Sequence, residues 1–215
     1  MKLVLLNYWR SSASHRVRIA LGLKQLAYEY VAVNIFGGAQ FEAAYRAKNP
    51  LSQVPTLEIT EDDGTQYAIT QSLPIIEFLE ERFPERPLLP RTALLRARAR
   101  QLAEIVNAAT QPFQNLSTTK KLKELGGDDR AWVQHFVANG LAAYARVAEE
   151  TAGTFSVGDA PTVADCFLVP QLASARRFHV DYSQHPLLAR IEQACLALPA
   201  FADAAPDLQP DAVKS

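Results

Sequence analysis

Three serines in four positions, Ser11, Ser12 and Ser14, stand where a short apolar strand gives way to an amphipathic helix. The first turn of a helix leaves backbone N–H groups without intrahelical partners, and the helix dipole places partial positive charge there. With nearby hydroxyl groups, these N–H groups stabilise a bound phosphate, carboxylate or thiolate. A lone serine would be explained by helix capping at Ser12 or Ser14. Because three serines exceed what one cap needs, we predict an anion site at this turn.

Two further places could bind a peptide-like ligand. Val54-Pro55 lies where a third strand is expected to begin, and a proline there indicates either a cis bond at a tight turn or an ordinary strand entry. In the first case the Val54 backbone would be free to pair with a ligand. Gln71-Ser72 precedes another helix, with Ser72 as the expected N-cap and Pro74 in the first turn. Its hydroxyl and N–H groups could hold a carboxylate, although a simple cap also explains the pair.

Arginines could bind carboxylates beside these sites, since a guanidinium holds a carboxylate through two hydrogen bonds. Arg10 flanks the serine turn, and Arg176-Arg177 closes a helical pattern in the second half of the chain, where a solvated surface pair is the ordinary interpretation. His15 follows the serines but has no second histidine or acid at ligand spacing, so no metal site is predicted.

The elements that must position these residues form a thioredoxin-like pattern over residues 1–83. Strands are predicted at residues 3–6, 28–33, 54–59 and 66–69, and helical segments at residues 14–26, at residues 41–46 and from Ser72. The second strand is expected to be parallel to the first. Asp62-Asp63-Gly64 between the last two strands is a hairpin signal. The order is therefore a βαβ unit, a β-hairpin and a helix.

The composition changes after a proline-rich linker at Pro84, Pro87 and Pro90. Residues 91–215 are rich in alanine, leucine and arginine, and they predict an all-helical domain of three or four helices. Within it, Thr162 and Asp165 form a capping-box pattern, and Cys166 reads as a small buried hydrophobe. We expect the tail after Pro206 to fray.

Composition narrows the classes of function. The chain has 215 residues, 48% of them hydrophobic, and a formal net charge of −1, which argues against nucleic acid or an anionic membrane as the main partner. Two distant cysteines, Cys166 and Cys195, fit neither a zinc site nor a CxxC motif. With no signal-peptide or membrane-span pattern, we expect a cytoplasmic protein.

Several stretches together resemble the zeta class of glutathione transferases: residues 11–21, 49–50, 53–57, 71–77, 111–117, 157–165 and 169–171. They run from the first strand to about Pro206, almost the whole chain. The serine motif and the 111–117 block are specific to this class, whereas the Val-Pro and Gln-Ser elements are shared by glutathione transferases broadly. The resemblance implies a thioredoxin-like glutathione-binding domain (residues 1–83), a helical domain that completes the substrate site (residues 91–215), and a homodimer.

The resemblance also implies roles for individual residues. Ser11 would hydrogen-bond the glutathione sulfur, and the catalytic set would be Ser11, Ser12, Arg10 and Arg177. Glutathione would be bound by Ser11, Ser12, Ala13, Ser14, His15, Arg16, Gln40, Val54, Gln71, Ser72, Gln111, Asn115, Leu116 and Ser117. The carboxylates of a small dicarboxylate substrate would be bound by Arg10, Arg176 and Arg177.

The activity implied is isomerisation of maleylacetoacetate to fumarylacetoacetate in phenylalanine and tyrosine breakdown, with glutathione as the cofactor. Two residues depart from many members of the class: Ala13 stands in place of a cysteine and His15 in place of a tryptophan. Because His15 occurs in bacterial maleylpyruvate-type members, maleylpyruvate isomerisation is one alternative. General glutathione transfer or dehalogenation of α-halo acids is another, and a non-catalytic binding module of the same fold is a third.

Overall fold

The structure, a computed structural model, describes residues 1–213. These residues form two compact units, one made of residues 1–87 together with residues from Pro199 onward, and the other of Leu88–Leu198. No helix among the described residues combines the length and the apolar character needed to cross a bilayer.

The first unit is built on a four-stranded sheet in the order β2-β1-β3-β4. Its strands are β1 (Lys2–Asn7), β2 (Glu29–Ala32), β3 (Thr56–Thr60) and β4 (Gln66–Thr70). β1 and β2 are parallel, while β3 is antiparallel to both β1 and β4. Its helices are α1 (Ser12–Lys24), α2 (Ala43–Arg46), α3 (Ser72–Arg82) and, after the second unit, α9 (Pro199–Ala202). This arrangement confirms the thioredoxin-like prediction.

Local signals in the sequence explain the hairpin and the helix ends. The hairpin turns at Gly64, whose φ of 85° favours glycine, and Asp63 accepts the Thr65 N–H at 2.9 Å. α1 ends at Gln25, whose N–H donates to the carbonyls of Gly22 and Leu21. Leu5, Ile19 and Leu57 are fully buried between the sheet and the helices.

The C-terminal segment, residues 199–213, packs with the first unit, although the sequence pattern assigned it to the helical domain. Gly22 of α1 explains part of this packing, because a Cβ at that position would lie 3.2 Å from the Cα of Ala200. Over the described residues 207–213 the expectation of a frayed tail is wrong, while residues 214 and 215 lie outside the described residues. The tail has a 3-10 turn at Pro206–Leu208, and the Gln209 amide donates to the carbonyls of Asp203 and Ala205.

The second unit is helical, as predicted. Its α-helices are α4 (Ala93–Asn107), α5 (Leu116–Glu124), α6 (Asp129–Ala148), α7 (Val163–Arg177) and α8 (Pro186–Leu196). The five helices of this described unit exceed the predicted three or four, because a 3-10 turn at Gln111–Gln114 separates α4 from α5.

A capping box begins α7, and its geometry confirms the sequence pattern. The Asp165 carboxylate accepts the Thr162 N–H at 2.7 Å and the Ser156 N–H at 2.8 Å. Burial of the carboxyl group raises its pKa above the usual value, in spite of these hydrogen bonds. Cys166 beside it is fully buried, as expected for a small hydrophobe.

We predict that Asp165→Ala lowers the free energy of unfolding by roughly 2–5 kcal/mol, because two buried N–H groups lose their acceptor. Chemical denaturation followed by circular dichroism measures this loss. Asp159→Ala is a matched control, since Asp159 accepts the N–H and the hydroxyl of Thr154 in the same way at the exposed surface. Equal losses for the two variants would show that burial of the capping box adds nothing.

Candidate functional site

Sheet topology brings three of the predicted site segments to one edge of the sheet. Thr56 at the start of β3 pairs with Leu6 near the end of β1 and with Thr70 at the end of β4. The serine turn follows β1, Val54-Pro55 precedes β3, and Gln71-Ser72 follows β4. These segments, far apart in sequence, are therefore neighbours in the first unit.

Ser11 is the N-cap of α1, in place of the two candidates for that position, Ser12 and Ser14. Its Oγ accepts the Ser14 N–H at 3.2 Å, and its own N–H donates to the Tyr8 carbonyl at 3.0 Å. A hydroxyl that accepts a hydrogen bond can still donate its proton. Among the described residues, no hydrogen bond uses the N–H of Ser12 or Ala13 or the Ser12 hydroxyl. The turn thus presents an O–H and two N–H donors at the positive end of a helix.

A buried arginine connects the serine turn to the start of α3. Nη1 of Arg16, only 1% exposed, donates to Ser72 Oγ at 3.1 Å. Gln71 is the N-cap, so the expectation that Ser72 fills this position is wrong by one residue. Gln71 has a φ of 69°, a conformation that costs about 1–3 kcal/mol for a residue other than glycine. This conformation directs the chain from β4 into α3, at the edge of the sheet where the other two segments lie.

The Val54 backbone is available to a ligand. The Val54–Pro55 bond is cis, which is the first of the two alternatives. Among the described residues, no hydrogen bond uses the N–H or the carbonyl of Val54. Two buried residues fix the preceding peptide, since both the Tyr45 hydroxyl and the Asn49 amide donate to the Gln53 carbonyl. Sequence reasoning missed this support, although Asn49 belongs to a motif that it singled out.

Gln40 contributes a buried polar atom without a partner. Its side chain lies in a 3-10 turn at Ala39–Phe41 and is 7% exposed. Nε2 donates to the Ile35 carbonyl at 3.0 Å, while Oε1 has no hydrogen-bond partner. A buried amide oxygen without a donor is unfavourable unless a ligand supplies one.

Arg18 is a buried residue whose contacts with the chain before the serine turn the sequence did not predict. Its guanidinium is 2% exposed and donates to Asn7 Oδ1 at 3.0 Å, to the Trp9 carbonyl at 3.0 Å and to the Ala204 carbonyl at 3.2 Å. Burial lowers its pKa to about 10, so the group stays charged at neutral pH. Arg18 therefore fixes the chain immediately before Ser11.

His15 and Arg10, which flank the turn, differ in their surroundings. The His15 ring is 3% exposed, and its Nε2 has no partner. Burial, aided by the charge of Arg18, lowers the pKa of His15 to about 3 and keeps the ring neutral. Arg10 is exposed, with its guanidinium carbon 5.4 Å from the centroid of the Trp9 ring and 5.0 Å from that of Phe36.

In the second unit, the predicted residues form two groups. Gln111 Nε2 donates to Asn115 Oδ1 at 2.6 Å, and Asn115 is the N-cap of α5, whose first residues Leu116 and Ser117 are exposed. At the end of α7, Arg176 forms an ion pair with Glu192 at 2.8 Å and also donates to the Tyr182 hydroxyl. The Arg177 guanidinium lies 4.6 Å from the Phe178 ring centroid.

Comparison with known proteins identifies the family. Residues 10–82 match the family model for the glutathione S-transferase N-terminal domain. Over 99% of this chain and 98% of theirs, two crystal structures of maleylacetoacetate isomerase from Anaeromyxobacter dehalogenans 2CP-1 superpose with a TM-score of 0.92. One, 52% identical, has glutathione bound in the active site, and the other, 51% identical, has dicarboxyethyl glutathione and citrate.

Two further relatives are each 44% identical to this chain. A zeta-class glutathione S-transferase of Euphorbia esula aligns over 98% of this chain and 92% of its own length. The chain belongs to the zeta class of glutathione transferases. A maleylpyruvate isomerase of a Ralstonia species belongs to the same set of relatives and aligns over 96% of this chain and 98% of its own length.

The buried His15 predicts an acid sensitivity of this zeta-class protein. Its pKa is about 3 when folded and about 6.5 when unfolded, so only the unfolded state gains a proton as the pH falls between these values. Above pH 6.5 the group has no effect, and below it the free energy of unfolding falls by about 1.4 kcal/mol per pH unit. We expect His15→Gln to show a shallower fall in denaturation measurements between pH 6.5 and pH 4. Exposed His135→Gln is the control and should follow the wild-type curve, whereas parallel curves for all three proteins would contradict the prediction.

Proposed function

We propose that this protein is a glutathione-dependent cis–trans isomerase that converts maleylacetoacetate to fumarylacetoacetate. The observation that carries the proposal is the meeting of the serine turn, the Val54 backbone and the Gln71-Ser72 pair at one edge of the sheet, linked by Arg16. The relatives named maleylacetoacetate isomerase, one of them with bound glutathione, support the same conclusion.

The chain offers groups suited to each part of glutathione, a tripeptide with a thiol and two carboxylates. The Val54 N–H and carbonyl can pair with its peptide backbone, and the unpartnered Gln40 Oε1 can accept one of its N–H groups. The first turn of α3, at Gln71 and Ser72, suits the γ-glutamyl carboxylate. The donors of the serine turn, Ser11 above all, suit the sulfur.

When bound, glutathione supplies a thiolate whose reversible addition to the double bond of the substrate permits rotation about that bond. Ser11 donates its hydroxyl proton toward the sulfur, and the N–H groups of Ser12 and Ala13 add partial positive charge. These donors favour the ionised form and lower the pKa of the thiol. The helix end thus makes the sulfur nucleophilic at neutral pH without a general base.

The charges of the protein also favour a dicarboxylate substrate. Arg10 lies exposed beside the serine turn, where its guanidinium can bind a carboxylate and stabilise negative charge that develops during the reaction. In the second unit, the resemblance to the zeta class assigns the main anchoring role to Arg177, and Arg176 forms an ion pair with Glu192. Gln111, Asn115, Leu116 and Ser117 would complete the site, with a cytoplasmic homodimer as the expected working form.

Maleylpyruvate isomerisation is the second candidate, favoured by the 44% identity to the Ralstonia enzyme. Ala13 and His15 favour the same candidate. However, His15 is buried with a neutral ring, so it offers no charge to a substrate. Leu116 and Ser117 favour maleylacetoacetate, because they stand where arginines are expected in maleylpyruvate-type members.

Ser11→Ala should lower kcat about tenfold to a hundredfold, since a hydrogen bond to an ionised group contributes roughly 1.5–3 kcal/mol. Ser11→Thr keeps the hydroxyl and should recover most of the loss. Ser12→Ala should cost less than Ser11→Ala. Steady-state kinetics with maleylacetoacetate and glutathione measures all three, and full activity of a Ser11→Ala, Ser12→Ala double variant would overturn the site assignment.

A second measurement tests the non-catalytic alternative. If immobilised glutathione retains the wild type and the variants, but none of these proteins turns over any electrophile, the non-catalytic binding module is favoured.

We expect a higher kcat/KM for maleylacetoacetate than for maleylpyruvate. Maleylpyruvate is short and densely charged and needs several cationic side chains, and Leu116 and Ser117 supply no positive charge. Arg177→Ala should reduce kcat/KM for both substrates, whereas Arg176→Ala should have a smaller effect because Glu192 neutralises that side chain. A preference for maleylpyruvate would instead assign the protein to the second candidate. Equal effects of the two arginine variants would contradict the role of Arg177.

A further inference from the structure

The C-terminal segment reaches the turn that delivers Ser11 to the anion site. In the first unit, Asp211 Oδ2 accepts the Trp9 N–H at 3.1 Å, across 202 residues of sequence. The other oxygen, Asp211 Oδ1, accepts the Tyr30 hydroxyl of β2. The carboxylate therefore connects the sheet to the turn that leads into α1.

Trp9 is the residue of that turn whose backbone is held on both sides. Ser11 N–H donates to the Tyr8 carbonyl, which closes a four-residue turn with Trp9 and Arg10 in the middle. Both peptide groups of Trp9 are held from outside the turn, the N–H by Asp211 and the carbonyl by Arg18 at 3.0 Å. Because these two contacts fix both sides of Trp9, they also fix where the backbone of Ser11 begins.

Arg18 ties the same segment to the turn a second time. Its Nε and Nη2 each donate to the Ala204 carbonyl at 3.2 Å. The charged groups of Arg18 and Asp211 thus both hold the Trp9 backbone, one through its carbonyl and the other through its N–H. Asp211 is half-buried, whereas Arg18 is only 2% exposed.

We propose that Asp211 is a positioning residue for the glutathione site: by accepting the Trp9 N–H, it holds the turn that aims the Ser11 hydroxyl and the first N–H groups of α1. Asp211 itself contacts no substrate. This inference rests on the proposed function, since it assigns the aim of these donors to the glutathione sulfur. Loss of the contact loosens the donors and weakens their stabilisation of the thiolate.

The test compares wild type, Asp211→Asn and Asp203→Asn. In Asp211→Asn both partners can be kept, because the Tyr30 hydroxyl can accept from the new amide group, but the Trp9 N–H then donates to a neutral oxygen and its hydrogen bond is weaker. Asp203 is exposed in the same segment, and its carboxylate makes no hydrogen bond within the described residues, which makes Asp203→Asn the matched control. Two readouts other than turnover are used: hydrogen–deuterium exchange at the Trp9 amide without ligand, and the pKa of bound glutathione from the ultraviolet absorbance of its thiolate.

We expect Asp211→Asn to speed exchange at Trp9 by about threefold to tenfold, because an amide oxygen is a weaker acceptor than a carboxylate. It should raise the pKa of the bound thiol by about half to one pH unit and lower kcat by a similar threefold to tenfold. The KM for glutathione should change less than kcat. Asp203→Asn should match wild type in all four measurements.

Unchanged exchange and an unchanged thiol pKa in Asp211→Asn, with normal glutathione binding, would overturn the positioning role and leave the proposed function standing. A lower melting temperature alone, without these shifts, would likewise overturn it in favour of a purely structural contact. Failure of wild type to bind glutathione would overturn the proposed function, and with it this role of Asp211. If Asp211→Asn does not fold, Tyr30→Phe releases the other side of the carboxylate and should move both readouts in the same direction by less; no movement would overturn the proposal.

Discussion

A buried guanidinium sets the path of the chain around the candidate site. Arg18 is charged and 2% exposed, and a buried charge is strongly unfavourable unless hydrogen bonds satisfy it. Its acceptors are the Asn7 side chain, the Trp9 carbonyl and the Ala204 carbonyl, so the end of β1, the following turn and the C-terminal segment must all reach it. The serine turn is therefore fixed from the interior of the unit, beneath the surface that it presents to a ligand.

The order of the strands is the second constraint, because it determines where the positive ends of two helices lie. With β3 antiparallel to both of its neighbours, the chain leaves β1 and β4 at the same edge and begins α1 and α3 there. The positive ends of two helix dipoles consequently face one region, and Arg16 lies between them with its guanidinium on Ser72. An anionic peptide with a thiol is well suited to such an edge, because carboxylate and thiolate each find donors without a metal ion or a lysine.

Local signals in the sequence predicted structural elements in both units. The hairpin at Asp62-Asp63-Gly64 and the capping box at Asp165 depend on residues close in sequence, and both were confirmed. The predicted starts of α1 and α3 were misplaced by one or more residues, because the N-cap position depends on backbone geometry. Gln71, with its positive φ, is the N-cap where Ser72 was expected. The contacts of Trp9 with Asp211 and of Arg18 with Ala204 span 202 and 186 residues, so no local pattern could indicate them. For the same reason the described part of the tail, residues 207–213, was wrongly expected to fray.

The candidate residues of the two units differ in how much of the structure depends on them. The groups suited to glutathione belong to the first unit, where buried side chains hold each segment: Arg16 donates to Ser72, Arg18 to the Trp9 carbonyl and Asn49 to the Gln53 carbonyl. A substitution there disturbs several backbone segments at once. In the second unit, Leu116, Ser117 and Arg177 are exposed, and none of these side chains is part of a buried core. Substitutions at these positions can alter charge and size at small cost in stability. The groups suited to glutathione thus depend on buried hydrogen bonds of the first unit, whereas Leu116, Ser117 and Arg177 can be exchanged without disturbing a core.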